Sequence, residues 1–171
     1  MRDELKPDYK TIKKLFPLIL KILEGYSKNC EGNYDENTAQ YKSMVKKLAK
    51  LTGKNIKEYC LSSWLDEDEI DIIAFVISIP KAHKIKNITK IELKEIINIL
   101  FESIENGNIL LTGNEEILFD KKYLEKLSVH YFGVLKTNYK NYSHLLFYQH
   151  LDENSNKVKY SKDEIVNILM E

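Results

Sequence analysis

The run from Ile70 to Ile79 constrains the fold more than any other stretch of this chain. Its only polar residues are Asp71 and Ser78, and Pro80 follows it directly. The run is too short to cross a bilayer, which needs about 20 apolar residues. It therefore predicts a core element that is buried on nearly every side.

A helix is the expected conformation of this run, although its β-branched residues also suit a strand. The four consecutive acids at positions 66–69 precede it, where the positive end of a helix dipole would stabilise them. Pro80 stands where a helix would stop. We therefore expect one helix from Asp66 to Ile79, about 21 Å long.

Length and charge bound the class of protein. The chain has 171 residues, which suits a single domain that covers residues 1–171. Its 26 basic and 26 acidic residues give a net charge of zero, so there is no overall attraction to nucleic acid or an anionic membrane. Arg2 is the only arginine, and arginine is the residue that reads phosphate and guanine with two parallel hydrogen bonds. Specific DNA readout is not expected.

Nothing in the sequence indicates export or a membrane anchor. No apolar segment follows Arg2 near the start, and no later segment is long enough to span a bilayer. Cys30 and Cys60 are the only cysteines, and their spacing is not that of a metal site, so we interpret them as reduced thiols. The expectation is a cytoplasmic protein. The abundance of Lys, Ile and Asn is typical of an AT-rich bacterial or phage genome.

The first two thirds of the chain show helical periodicity. The first helix is expected to start at Asp8, to kink or split near Phe16 because of Pro17, and to stop at Gly25. An exposed loop would follow, from Gly25 to Glu36.

A second helix should be capped by Asp35 or Asn37 and closed by Gly53. A short third helix is expected from Asn55 to about Ser63. Two capping boxes predict the starts of later helices, and they are Thr89 with Glu92 and Ser161 with Glu164.

The last third of the chain has strand-like segments. Ile109–Leu111 with Ile117–Phe119 predicts one hairpin, and His144–Leu151 with Lys157–Tyr160 predicts another across the turn DENSN. Val129–Leu135 is interpreted as a neighbouring strand. The predicted fold class is α+β, mainly helical in the N-terminal two thirds, with a small antiparallel sheet in the C-terminal third.

Three histidines are the main candidates for chemistry. If His144–Leu151 is a strand, His144 and His150 share one face, and His130 could approach it as part of a metal site or an acid and base pair. His144 and His150 would be about 20 Å apart, too far to bind one ion. The chain also has no Gly-rich phosphate loop, nucleophile elbow or HExxH motif. The sequence therefore favours a non-enzymatic protein, with no catalytic residue, metal or cofactor predicted.

An acidic surface is the favoured site of function. A dense group of carboxylates attracts a cationic protein, and the chain contains two acidic stretches. The candidate contacts are Asp66, Glu67, Asp68, Glu69 and Asp71, together with Tyr34, Asp35 and Glu36. The leading hypothesis is a bacterial immunity protein that neutralises a cognate toxin, for example a nuclease, by covering its active site.

Nucleic-acid binding or regulation is the alternative. Lysines alternate with aromatic residues in the C-terminal third, as they do in proteins that hold single strands by stacking. The aromatic members include Tyr123, Tyr131, Phe132, Tyr139, Tyr142, Phe147, Tyr148 and Tyr160. Aromatics at this spacing are also common in protein cores, and lysines also protect sheet edges.

Overall fold

The fold was obtained as a computed structural model that describes residues 1–30, 35–59, 61–67, 69–106, 121–151 and 155–171, leaving out the side chains at positions 64, 66, 67, 106 and 121. The α-helices are α1 (Tyr9–Ser27), α2 (Ala39–Thr52), α3 (Leu61–Glu67), α4 (Ile70–Ser78), α5 (Lys90–Asn106), α6 (Lys121–Leu124), α7 (Ser128–Asn138) and α8 (Lys162–Met170). Two short antiparallel strands, β1 (His150–Leu151) and β2 (Lys157–Val158), form a C-terminal sheet. The predicted α+β class, mainly helical with a small C-terminal sheet, is confirmed.

The chain divides into two compact units. One unit is Asp8–Lys81, which contains α1 to α4, and the other combines Met1–Pro7 with Ala82–Glu171. That residues 1–171 form a single domain stays a prediction.

The central apolar run is a buried helix, as predicted. Every residue from Ile72 to Ile79 is 9% exposed or less. Three of them, Ile73, Ala74 and Ile77, join a core cluster of the first unit. The buried hydroxyl of Ser78 donates a hydrogen bond to the Phe75 backbone oxygen at 2.6 Å, so the one polar side chain in this segment is satisfied.

The predicted start of this helix at Asp66 is wrong. Helix α3 ends at Glu67, and α4 begins at Ile70. Leu61 and Leu65, one turn apart, are 0% and 6% exposed. Burial of each stabilises the fold by about 1.5–3 kcal/mol, whereas an acid at a helix terminus contributes about 0.3–1 kcal/mol. Packing of the two leucines therefore outweighs the preference of the acids for a helix start. Asp66 lies in the last turn of α3.

Helix α1 runs without a break through Pro17, so the predicted split near Phe16 is wrong. Pro17 and Lys13 are both exposed, and water can bind the Lys13 carbonyl that the proline ring leaves without its helical donor. Asp8 caps the start as expected, because its carboxylate accepts a hydrogen bond from the Thr11 backbone N–H at 3.0 Å. The helix continues past Gly25 and ends at Ser27.

Thr38, and neither Asp35 nor Asn37, caps α2. Its hydroxyl accepts a hydrogen bond from the Tyr41 backbone N–H at 3.1 Å. The predicted cap is therefore wrong. The predicted stop is confirmed, because Gly53 has φ +69°, the left-handed conformation that glycine adopts without strain.

The predicted strand Val129–Leu135 is wrong, because this segment is part of helix α7. Its buried residues are His130, Tyr131, Val134 and Leu135, and the steps of three and four among them follow one face of a helix.

The predicted strand His144–Leu151 is confirmed only for its last two residues. A 3-10 turn occupies His144–Phe147 instead. Leu146 and Phe147 are both buried, and a half-buried strand cannot bury two successive side chains on one face. The hairpin pairing itself is present, with His150 opposite Val158 and Leu151 opposite Lys157.

Both predicted capping boxes are confirmed. The Thr89 hydroxyl accepts from the Glu92 backbone N–H at 3.2 Å, and the Glu92 carboxylate accepts from the Thr89 backbone N–H at 2.9 Å. Ser161 and Glu164 repeat the arrangement at the start of α8. The predicted hairpin at 109–119 lies outside the described residues. Within the described part of the chain, no helix combines the length and apolarity that a membrane crossing needs.

Candidate partner-binding surface

One hydrogen bond joins the first acidic stretch to helix α3, the helix that leads into the second stretch. The Glu36 carboxylate accepts a hydrogen bond from the hydroxyl of Ser62, 26 positions further along the chain. Ser62 belongs to α3, the helix whose last two residues are Asp66 and Glu67. The segment before α2 is thus joined to the helix that leads into the second acidic stretch.

Hydrogen bonds within the turn before α2 hold the first acidic stretch, Asp35 and Glu36, in place. The Asp35 carboxylate accepts hydrogen bonds from the backbone and side-chain N–H groups of Asn37 at 2.8 and 3.0 Å. The Thr38 hydroxyl donates to the Asp35 backbone oxygen at 2.8 Å. Asp35 and Glu36 are both exposed, so this turn presents two carboxylates to solvent in a fixed geometry. Tyr34 lies outside the described residues.

The second stretch divides between two helices. Asp66 and Glu67 end α3, and Glu69 is the exposed N-cap residue of α4. The structure does not describe Asp68 or the side chains of Asp66 and Glu67.

Asp71 has a structural contact. It is half-buried, and its carboxylate accepts a hydrogen bond from the Ile72 backbone N–H at 2.9 Å. It thereby stabilises the first turn of α4. The described acids of the two stretches that are exposed are Asp35, Glu36 and Glu69, and we call these three residues the acidic surface.

Lys54 is the amine whose chemistry the fold changes most among the described groups. Burial lowers its pKa from 10.5 to about 8. Its Nζ atom donates hydrogen bonds to the backbone oxygens of Ile77 and Ile79 and lies 5.5 Å from the centre of the Tyr59 ring. Lys54 therefore caps the C-terminal end of α4. The sequence carries no signal for this contact, because it joins positions that are distant in the chain.

The three candidate histidines occupy different environments. His130 is buried in α7, and its Nε2–H donates to the Leu5 backbone oxygen at 3.1 Å. Burial lowers the pKa of His130. The exposed His144 shares a hydrogen bond of 3.1 Å with the Tyr142 hydroxyl, and His150 donates from Nδ1 to the Tyr148 backbone oxygen at 3.0 Å. Among the described residues, no group of three His, Cys, Asp or Glu side chains is arranged to hold a metal ion.

The aromatic residues of the second unit form a connected cluster. The Phe132 ring lies 4.6 Å from the His144 ring and 5.2 Å from the Phe147 ring, measured between centres. The His144 and Tyr148 rings are 5.0 Å apart. Phe147 is buried, whereas His144 and Tyr148 are exposed. The inner part of this cluster is core, and its outer edge is an aromatic surface made by His144 and Tyr148.

None of the protein-family models, curated proteins or solved structures compared with this chain matches it.

Proposed function

We propose that this chain is a non-enzymatic inhibitor that binds a basic protein, with the role of a bacterial immunity protein that neutralises a cognate toxin such as a nuclease. The observation that supports the proposal is the Glu36–Ser62 hydrogen bond. It joins the first acidic stretch to α3, the helix whose last two residues are Asp66 and Glu67 of the second stretch. The inhibitor would cover the toxin's substrate site by steric and electrostatic blocking.

The charge distribution favours such a partner. The chain has a net charge of zero, so attraction to a cation must arise from a local surface. Asp35 and Glu36 are adjacent and exposed, and the turn before α2 holds them in place. Charges that are already positioned lose little conformational entropy on binding and accelerate encounter with a complementary partner.

The experiment first determines whether a neighbouring gene encodes a basic, toxin-like protein, and it then measures the association of that protein with the purified chain. Stopped-flow or surface plasmon resonance at two salt concentrations gives the association rate. Glu36→Lys should slow association by about tenfold at low salt, because an exposed interface charge acts mainly on the encounter rate. Glu24→Lys is the matched control, since Glu24 is an exposed acid of α1 that lies outside the acidic surface.

A second pair of variants separates charge from geometry. Glu36→Gln removes the charge but can still accept a hydrogen bond from Ser62, whereas Ser62→Ala keeps the charge and removes the bond. Glu36→Gln should reduce the salt dependence of association, and Ser62→Ala should leave it in place. Equal effects of Glu36→Lys and Glu24→Lys on the association rate would show that the acidic surface is not part of the interface.

Binding of single-stranded nucleic acid is the second candidate function. The exposed His144 and Tyr148 rings, 5.0 Å apart, offer stacking faces in a segment that contains many lysines. The lone arginine is occupied elsewhere, because Arg2 donates to the backbone oxygens of Lys86 and Asn87 at 2.9 and 3.1 Å.

A gel-retardation experiment with a single-stranded RNA tests this candidate. Loss of one stacked base costs about 1–3 kcal/mol, so Tyr148→Ala should weaken RNA binding about tenfold or more, whereas Leu145→Ala should not. Leu145 is 56% exposed in the same segment and has no ring. Salt-sensitive retardation that Tyr148→Ala abolishes would replace the inhibitor proposal. Absence of retardation at low salt would exclude the nucleic-acid candidate.

A further inference from the structure

An open groove of about 1110 Å³ runs between α1 and α2 in the first unit. One wall carries Leu18, Ile22 and Gly25 of α1, and the other carries Met44, Lys47 and Leu51 of α2. On each wall the residues follow one another at intervals of three or four, so they lie on one face of their helix. The lined part of α2, from position 39 to 51, is about 18 Å long, or about three helical turns.

The lining of the groove is mainly apolar, and part of it is exposed to solvent. Leu18 is 46% exposed, so part of its aliphatic side chain is in contact with water. Met44 is 3% exposed and forms part of the core beneath. The groove thus offers apolar surface that a ligand could remove from water, with a stabilisation of about 25 cal/mol per Å².

Gly25 contributes no side chain to the wall of the groove. It lies inside α1, where glycine costs about 1 kcal/mol relative to alanine. A Cβ atom added at this position would meet no heavy atom within 4 Å, and its φ is not positive. Neither packing nor backbone conformation therefore requires the glycine, and its effect on the surface is to leave space in the groove wall.

The rim of the groove is positively charged. Lys21, Lys47 and Lys50 line it and are exposed, and no acid is found among the described residues that line the groove. None of the three lysines has an ion pair with a carboxylate in the described part of the chain. An apolar floor between unpaired cations is complementary to an amphipathic ligand with negative charges beside its apolar face.

We propose that this groove binds an acidic amphipathic helix of a partner protein. A three-turn groove matches the spacing of apolar anchors at i, i+3 or i+4, and i+7 along such a helix. Acidic residues beside these anchors would face Lys21, Lys47 and Lys50. The groove shares no residue with the acidic surface and has the opposite charge, so this inference does not rest on the proposed function.

The test uses a synthetic peptide of about 15 residues, long enough to form the required turns. It places leucines at i, i+3 and i+7 on an alanine background, with glutamates on both sides of the leucine stripe. Fluorescence anisotropy of the labelled peptide gives its Kd for the whole chain. A peptide with lysines in place of the glutamates, and one with the same composition in scrambled order, are the ligand controls. The acidic peptide should bind at least tenfold more tightly than either control.

Two pairs of variants locate the peptide. Lys47→Glu should weaken binding about tenfold, whereas Lys46→Glu should not, because Lys46 is an exposed neighbour outside the groove. Gly25→Phe fills the groove and should abolish binding, whereas Gly25→Ala leaves it open and should bind normally. Circular dichroism confirms that each variant is folded, and the lysine pair provides the answer if Gly25→Phe fails to fold.

Three results would overturn the proposal. Equal loss of binding in Lys47→Glu and Lys46→Glu would show general charge attraction without the groove. Equal affinity for the acidic and scrambled peptides would exclude an occupant that docks through one apolar face of a helix. Binding of laurate, but not of the peptide, would show that the groove takes a small amphipathic anion instead.

Discussion

The Nζ atom of Lys54 lies 2.7 Å from the backbone oxygen of Ile77 and also donates to Ile79. These oxygens belong to the C-terminal end of the buried helix α4, where backbone acceptors lack partners and the helix dipole is negative. The Lys54 ammonium thus supplies hydrogen-bond donors to backbone oxygens at the end of α4. Burial makes this charge costly, which lowers the pKa of Lys54 to about 8.

The Lys54 contact predicts that stability rises with pH in the alkaline range. The pKa of this amine is about 8 in the folded protein and 10.5 when it is fully solvated, so between these values the unfolded chain binds more protons. The free energy of unfolding should therefore increase between pH 8 and 10.5. From pH 7 to 9.5, Lys54 should contribute a gain of about 2 kcal/mol. Urea unfolding measures it, with Lys54→Met as the reference that lacks the amine. Parallel pH profiles for the two proteins would show that Lys54 titrates normally.

His130 predicts a loss of stability in mild acid. Burial lowers its pKa below the usual 6.5, so below pH 6.5 the unfolded chain takes up a proton that the folded protein resists. Stability should fall as pH drops through this range, by up to about 1.4 kcal/mol per pH unit. His130→Gln keeps an N–H donor for the Leu5 oxygen and cannot be protonated, so its profile should be flatter. Identical acid sensitivity of the two proteins would contradict the prediction.

The cap of α2 predicts unequal effects of two neighbouring substitutions. Thr38→Ala removes the oxygen that accepts from the Tyr41 backbone N–H and should destabilise the protein by about 1 kcal/mol. Asn37→Ala removes only an exposed side-chain bond to Asp35 and should change stability by less than about 0.5 kcal/mol. Thermal or urea unfolding distinguishes them. A larger effect of Asn37→Ala would restore the cap predicted from the sequence.

Local patterns predicted much of the fold correctly. The capping boxes at Thr89 and Ser161, the stop at Gly53 and the buried helix in the central run all depend on residues within a few positions of one another. The same holds for the C-terminal pair of strands, because β1 and β2 are only five residues apart in the sequence. In each case the deciding contact is local, so the sequence carries the signal directly.

Predictions failed where tertiary packing outweighed a local preference. The acids before Ile70 indicate a helix start, but burial of Leu61 and Leu65 places Asp66 and Glu67 at the end of the preceding helix. The β-branched and aromatic residues of 129–135 indicate a strand, yet their buried positions follow a helical period.

The site was predictable only as two separate stretches. The sequence identified Asp35, Glu36 and Glu69 as candidate contacts, but it could not show that Glu36 bonds to Ser62, because the pair is 26 positions apart. The sequence also contains the residues that line the α1–α2 groove, but no local pattern indicates that they lie together. The groove forms where α1 packs against α2. The apolar face of one helix does not indicate which other helix it packs against.

Inhibition of the toxin tests the central proposal most directly. Any toxin-like protein that a neighbouring gene encodes is assayed on its own substrate, for example RNA or DNA for a nuclease, while the chain is added in increasing amounts. We predict that activity falls linearly to zero at an equimolar ratio and that Glu36→Lys shifts the curve to higher concentration, whereas Glu24→Lys does not. Full toxin activity in the presence of excess folded chain would contradict the proposal.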